Sequence, residues 1–109
     1  MITEFKIFEN NKEPKIGDYV ICYDGQSDLE DFLANNVGKI IKKSKNGYGH
    51  KNHLGKYLVL YKNIPVEFEE DFKFNNIDGT RPMRRYEILY FSNKEKDCEM
   101  YINTNKYNI

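Results

Sequence analysis

"YLVLY", from Tyr57 to Tyr61, sets tyrosines at its first and fifth positions around a central Val59. The same frame recurs in "YVICY" (Tyr19 to Tyr23, centred on Ile21) and "YEILY" (Tyr86 to Tyr90, centred on Ile88). A period of two sends the tyrosines and the central residue of each segment to one face, and Val20 and Cys22, Leu58 and Leu60, Glu87 and Leu89 to the other. Segments this rich in β-branched and aromatic side chains, bounded by Gly, Asn and Asp, are predicted as strands. "NVGKIIKK" follows the same logic more weakly, with Gly38 marking a bulge or a close backbone approach. The opening "ITEFKIFE" alternates imperfectly, and residues 2–8 are assigned an edge strand.

Working outward, "SDLEDFLANN" carries Ser27 and Glu30 at capping-box spacing, with Leu29, Phe32 and Leu33 on one side, which predicts a short amphipathic helix. Ser92 and Glu95 repeat that spacing ahead of Cys98, Tyr101 and Ile102, so 93–102 is expected to be a second helix, with a strand as the alternative. "IPVEFEEDF" is expected to form one turn of helix, with Pro65 at its first position. "KSKNGYGHKNHLGK" is expected to be a long hairpin loop, and Asp78-Gly79 a turn. Short strands joined by hairpins, with small helices inserted, predict a mainly β (α+β) domain spanning 1–109. Its centre is expected to be a closed or nearly closed barrel of about five antiparallel strands within 16–92, since closure removes sticky edges.

Composition narrows the function classes. The 109 residues carry 17 Lys plus Arg against 17 Asp plus Glu, so any electrostatic recognition has to be local. No stretch nears the roughly 20 apolar residues needed to span a bilayer, and the N-terminus lacks signal-peptide grammar, so a cytoplasmic protein is expected. Cys22 and Cys98 sit among apolar neighbours and fit buried thiols better than a disulfide. Heavy use of Lys, Asn, Ile, Tyr and Phe beside a single alanine, Ala34, is the bias that AT-rich coding imposes.

The residue types that carry catalytic or metal chemistry occur without the neighbours that chemistry needs. His50 and His53 are three apart, but the loop offers no further ligand, and structural zinc takes four. The carboxylates Glu67, Glu69, Glu70 and Asp71 form a run on a turn, whereas a general acid needs an apolar pocket of its own. "GYGHKNHLGK" lacks the spacing of a phosphate loop. Neither cysteine has a base beside it in sequence. No catalytic residue, metal site or cofactor is therefore assigned.

Two binding surfaces remain. Tyr19, Tyr23, Tyr57, Tyr61, Tyr86 and Tyr90 either form an exposed amphipathic platform or pair across strands with their hydroxyls at the rim. Arg81, Arg84 and Arg85, the only arginines in a lysine-rich chain, either hold a partner's carboxylate or phosphate or link to the acidic turn at Glu67 to Asp71. The partner-binding candidates are Arg81, Arg84, Arg85, Tyr19, Tyr23, Tyr57 and Tyr61.

The succession "GDYVI", "VGKI", "YLVLY.NIP" and "RPM.R.EI.YFS.NKE" resembles short phage and large-virus proteins, and its first half is similar to SH3-like barrels. The likeness runs from about Lys15 to Ile102 and rests on structural motifs, so it carries over no active-site residue. It implies a small SH3-like barrel encoded by a phage or mobile element. Such a protein would dock on a host or viral protein as monomer or homodimer, in its sharpest form as an anti-CRISPR type inhibitor of a bacterial defence system. A virion accessory fits the same features. The alternative is a single-stranded RNA or DNA binder using the tyrosines and the Arg81 to Arg85 turn, which the balanced charge disfavours. A small-molecule or nucleotide sponge is a third, weaker reading.

Overall fold

The stretch around Tyr57 to Tyr61 lies at the middle of the molecule. The computed structural model describes residues 13–25, 27–48 and 55–107. Its strands are β1 (Tyr19–Cys22), β2 (Gly38–Tyr48), β3 (Gly55–Leu60), β4 (Lys73–Phe74), β5 (Ile77–Asp78), β6 (Thr80–Met83) and β7 (Ile88–Ser92). They form one sheet in the order β5-β4-β6-β3-β2-β1-β7, antiparallel throughout except for the parallel contact of β4 with β6. Helix α1 (Ser27–Ala34) connects β1 to β2, and helix α2 (Glu95–Tyr107) follows β7. Short 3-10 segments occupy Val66–Phe72, directly after Pro65, and Arg85–Glu87.

The architecture is mainly β with two α-helices, as the sequence implies, but the sheet differs from a five-stranded closed barrel. It has seven strands, and among the described residues β5 and β7 stand at its two ends with no pairing between them. The additional strands are β6, at the expected arginine turn, and the pair within "KFNNID", where Asn75 and Asn76 adopt positive φ values of 51° and 64° and turn the chain tightly between β4 and β5. Positive φ at both central residues is what a two-residue hairpin requires, and asparagine tolerates it. Thr80, fully buried, pins this hairpin: its Oγ1 accepts from the Phe74 N–H at 3.1 Å and donates to the Ile77 carbonyl at 2.7 Å.

The expectation that the tyrosines and central residue of each frame share one face holds in β3 and for Tyr19 and Ile21 of β1, but fails in the third frame, and the frames do not face the same way. In β3, Tyr57 and Val59 point inward, together with Tyr61 just beyond it, into a core with Val20, Cys22, Ile40, Phe72, Met83 and Ile88. In β1 the alternation is reversed: Val20 and Cys22 point inward, while Tyr19 and Ile21 point to the opposite face, beneath α2. In the third frame Tyr86 sits in a 3-10 turn outside the strand. Along β7, Cys22 pairs with Ile88 and Ile21 with Tyr90, leaving Leu89 as an extra residue at a β-bulge. The bulge switches faces, so that Ile88 joins the inner core and Tyr90 the outer one.

β2 runs on to Tyr48, so residues 43–48 of the expected loop are strand, and β2 pairs with β3 as far as Tyr48 opposite Gly55, with register shifts between Ile40 and Lys42 and between Lys43 and Tyr48. His50 and His53 lie outside the described residues, as does the expected edge strand at 2–8. Gly38 is a close approach, as its sequence context implied: a Cβ there would lie 2.4 Å from Val59 Cγ1 and 2.8 Å from Tyr61 Cζ. α1 buries Leu29 and Leu33 and packs the Phe32 ring against Tyr61, Phe68 and Phe72 at centroid distances of 5.9, 6.2 and 5.3 Å. α2 lays Cys98 and Ile102 on Ile21 across the other face.

Candidate interaction surface

α2 leaves part of the outer face of β1 and β7 uncovered. Ser92, the last residue of β7, accepts a hydrogen bond from the Lys94 N–H at 3.1 Å and donates to Asp97 Oδ2 at 2.6 Å, which fixes how α2 leaves the sheet. The serine thus holds the helix entry through Asp97, where a reciprocal bond with Glu95 was expected. Once Cys98 and Ile102 are seated on Ile21, the adjoining helix face carries Asp97, Met100, Tyr101 and Thr104 alongside β7. Those four and Tyr90 line an open groove of about 210 Å³. Its floor is the Tyr90–Tyr101 pair, stacked with centroids 4.7 Å apart and planes 11° from parallel.

Exposed apolar side chains also occur on these two elements and on the turn before β7. Leu89, displaced by the bulge, is 50% exposed and Met100 is 60% exposed. Tyr86, in the turn feeding β7, is 70% exposed, and the exposed Tyr23 donates its backbone N–H to the Glu87 carbonyl in that turn at 2.8 Å. Among the described residues β7 is the last strand of the sheet, with β1 as its strand neighbour.

The tyrosines singled out from sequence therefore divide. Tyr57 and Tyr61 are 4% and 3% exposed and, as core residues, offer no contact area. Burial pushes the Tyr57 phenol up to about 12, helped by its 2.5 Å bond to Glu13 Oε1. Tyr61 is raised well above the ordinary value by burial and by the Cys22 thiol beside it. Tyr19 is half-buried under Lys39, whose Nζ lies 5.5 Å from the ring centroid. Only Tyr23 of the four is exposed.

The arginines divide as well, and none stands alone. Arg81 lies within β6, ahead of the turn: one guanidinium nitrogen pairs with Asp24 and the other donates to the Asp71 carbonyl at 3.0 Å. The acidic partner is thus Asp24 together with a backbone oxygen of the Glu67 to Asp71 turn. Arg84 donates its backbone N–H to Glu87 Oε1 at 2.8 Å and its guanidinium to Tyr86 Oη, holding the 3-10 turn. Arg85 reaches Glu13 at 3.8 Å and covers the Phe91 ring at 5.2 Å.

Other features carry less chemistry. Cys22 and Cys98 are free, buried on opposite faces of the sheet, and each is pushed up to about 12, chiefly by burial. A second depression of about 320 Å³ beside Tyr61 and Phe72 has Lys73 and Asp78 on its wall, already paired at 3.7 Å. No cluster of three or more potential metal ligands occurs among the described residues, and none of their helices is long and apolar enough to cross a membrane. Leu89, Met100 and Tyr101 were not among the candidates drawn from sequence, because the bulge and the helix phase that expose them leave no local signature. Comparison with family models, with curated proteins and with solved structures finds no match.

Proposed function

We propose that this protein is a non-catalytic interaction module that docks on another protein through the outer face of β7 and α2. One observation carries the reading: Met100, 60% exposed, stands on the wall of a groove floored by the stacked Tyr90 and Tyr101 rings, and Leu89, next to Tyr90 along β7, is 50% exposed. Exposed apolar surface of this kind, with Tyr and Met at its centre, is what protein interfaces are made of. In its narrower form the module is phage-encoded and SH3-like, and blocks a host defence component. The antiparallel run β6-β3-β2-β1-β7, in which the last strand returns beside the first, supports the SH3-like part. Its AT-rich residue usage supports the phage part. The test is site-specific photo-crosslinking in a bacterial lysate, with the crosslinker at Leu89, Met100 or, as a distant control, the exposed Val66. One discrete adduct at the first two positions and none at Val66 is the expected result; equal labelling at all three would end the reading.

A second reading, binding of single-stranded nucleic acid, is favoured only by Tyr86, exposed with the Arg84 guanidinium 5.6 Å from its ring centroid. It requires oligonucleotide affinity that falls steeply with salt and is lost on Tyr86→Ala.

A further inference from the structure

We propose that the β2–β3 hairpin binds the phosphate backbone of a nucleic acid, a surface separate from the β7–α2 face and independent of the reading placed there. The first observation is in the sequence. Between Phe32 and Val66 stand seven lysines and not one of the chain's 17 acidic residues. The other residues then hold ten basic against 17 acidic side chains, a net charge of −7 that offsets the +7 of this stretch. Acidic residues fill 17 of 109 positions, about one in six, so 35 consecutive positions without any is a segregation of charge and not a matter of composition.

The fold gathers that charge on one ribbon. β2 and β3 pair along the hairpin, and Lys39, Lys42, Lys43 and Lys45 of β2 and Lys56 of β3 are all exposed. Lys42 stands opposite Leu58, so Lys56 is its diagonal neighbour on the same face, about 7–8 Å away. From Lys39 to Lys45 the lysines of β2 cover about 20 Å of strand. The neighbouring elements cancel little of this. Asp18, ahead of β1, accepts from the Lys15 N–H at 2.8 Å, and Glu13 bonds the Tyr57 hydroxyl and lies 3.8 Å from Arg85. Glu87, in the 3-10 turn that packs on β3, accepts from the Arg84 N–H, and β6 carries Arg81 and no carboxylate. Residues 1–12 hold two lysines and two glutamates and so add no net charge. Lys43 reaches the Pro14 carbonyl at 3.1 Å and Lys39 covers the Tyr19 ring, whereas Lys42, Lys45 and Lys56 have no carboxylate partner among the described residues.

What the hairpin lacks selects among polyanions. Docking a protein takes apolar contact area at the centre of the interface, and lying on a bilayer takes an apolar face. Among the described residues, none of the large apolar side chains that are exposed lies on β2 or β3. A phosphate backbone needs no such area, because neutralising its charges and releasing counterions supplies the binding energy. Lysine suits this task as a point charge on a flexible stem, which follows a line of phosphates without fixing the sequence. The neutrality of the whole chain does not oppose it. Fields are screened within about 8 Å at physiological salt, so a bound strand feels the hairpin and not the net charge of the molecule.

The test titrates the full chain into a fluorescent oligonucleotide of about 20 nucleotides, single-stranded or duplex, and follows anisotropy between about 50 and 200 mM salt. With about four lysines engaged, affinity for the duplex should fall with a log–log slope of about −3 to −4, roughly 60- to 250-fold over that range. Lys42→Gln, Lys45→Gln and Lys56→Gln, all at exposed positions, should each reduce the slope by about one, and the triple variant should lose most of the affinity at low salt. Lys96→Gln, exposed on α2, should change neither. Unaltered urea midpoints show that the variants are folded. Absence of binding at low salt, or a folded triple variant with the parent's slope, overturns the proposal. So do three other results: polyglutamate competing as well as the oligonucleotide, which gives the hairpin to an acidic protein; binding to anionic vesicles with none to oligonucleotides, which gives it to a membrane; and loss on Tyr86→Ala with the lysine variants unaffected, which gives the site to the Tyr86 turn. Crosslinking at Leu89 and Met100 reports on the β7–α2 face alone, so either reading can fail without the other.

Discussion

Thr80 shows how much a single buried polar atom can decide. Its side chain is fully buried, and Oγ1 is shared between the Phe74 N–H and the Ile77 carbonyl, so the β4–β5 hairpin closes around one hydroxyl. Thr80→Val keeps the shape and strands both backbone groups; we expect a loss of about 1–3 kcal/mol in urea unfolding, with Thr80→Ser well below that. A valine variant as stable as the parent would show that water replaces the hydroxyl. Cys22, Cys98, Tyr57 and Tyr61 give a second prediction at this scale. Each holds its proton more tightly folded than unfolded, because burial disfavours its anion: both thiols and Tyr57 rise to about 12, and Tyr61 moves the same way. The unfolded chain therefore releases protons first, and stability falls as pH rises. It should be level up to about pH 9, the ordinary thiol range, and drop between there and pH 12, read as a decreasing urea midpoint. In the native state at pH 8 neither thiol should react with a chromogenic disulfide; rapid reaction of either would show that its site opens.

At the scale of elements, the Asp24–Arg81 pair ties the chain leaving β1 to β6 and to the Val66–Phe72 segment. Asp24 keeps 9% of its side chain in solvent and Arg81 21%, and the guanidinium lies 5.7 Å from the Phe72 ring centroid. Arg81→Met should cost about 3 kcal/mol, the low end for breaking a buried pair, since the carboxylate is left unpaired and close to dry. Adding Asp24→Asn should recover part of the loss, and a double-mutant cycle in which it recovers nothing would remove the pair from the stability argument. Loss of any ligand on replacing Arg81 would thus report first on the fold. The elements also show what could be read from sequence. Both α-helices, the turn after Pro65, the three central strand segments and the close approach at Gly38 followed from periodicity and local chemistry. The faces did not follow. Tyr57 and Tyr61 point inward while Tyr19 and Tyr90 point outward, although all four occupy the same frame, because pairing partners and the Leu89 bulge set the phase and neither is local. The Asn75-Asn76 hairpin and the continuation of β2 to Tyr48 were missed for a related reason. Polar residues with loop-like composition become strand when a neighbour supplies hydrogen bonds.

Across the whole molecule, one sheet separates two cores of unequal size. Among the described residues, the inner cluster gathers eleven buried residues under α1 and the Val66–Phe72 segment, whereas the cluster beneath α2 holds three, Ile21, Cys98 and Ile102. The inequality predicts two levels of stability, because free energy of opening follows the apolar surface that opening exposes. α2 should detach from the sheet more readily than β2 and β3 separate, exposing Tyr90 and the β7 face while the inner core stays closed. Native-state hydrogen exchange in rising urea should show the α2 amides merging at a lower free energy than those of β2 and β3. Ile102→Ala should lower protection in α2 by about 2–3 kcal/mol, roughly 30- to 150-fold in exchange rate, with β2 and β3 unaffected. If the substitution instead lowers protection equally everywhere, the two cores unfold as one unit and α2 is as firmly held as the sheet. The distinction bears on function, because the groove beside β7 has α2 as one wall. A helix that opens alone lets the groove widen to admit a bulky side chain, at a cost in affinity equal to the population of the open form.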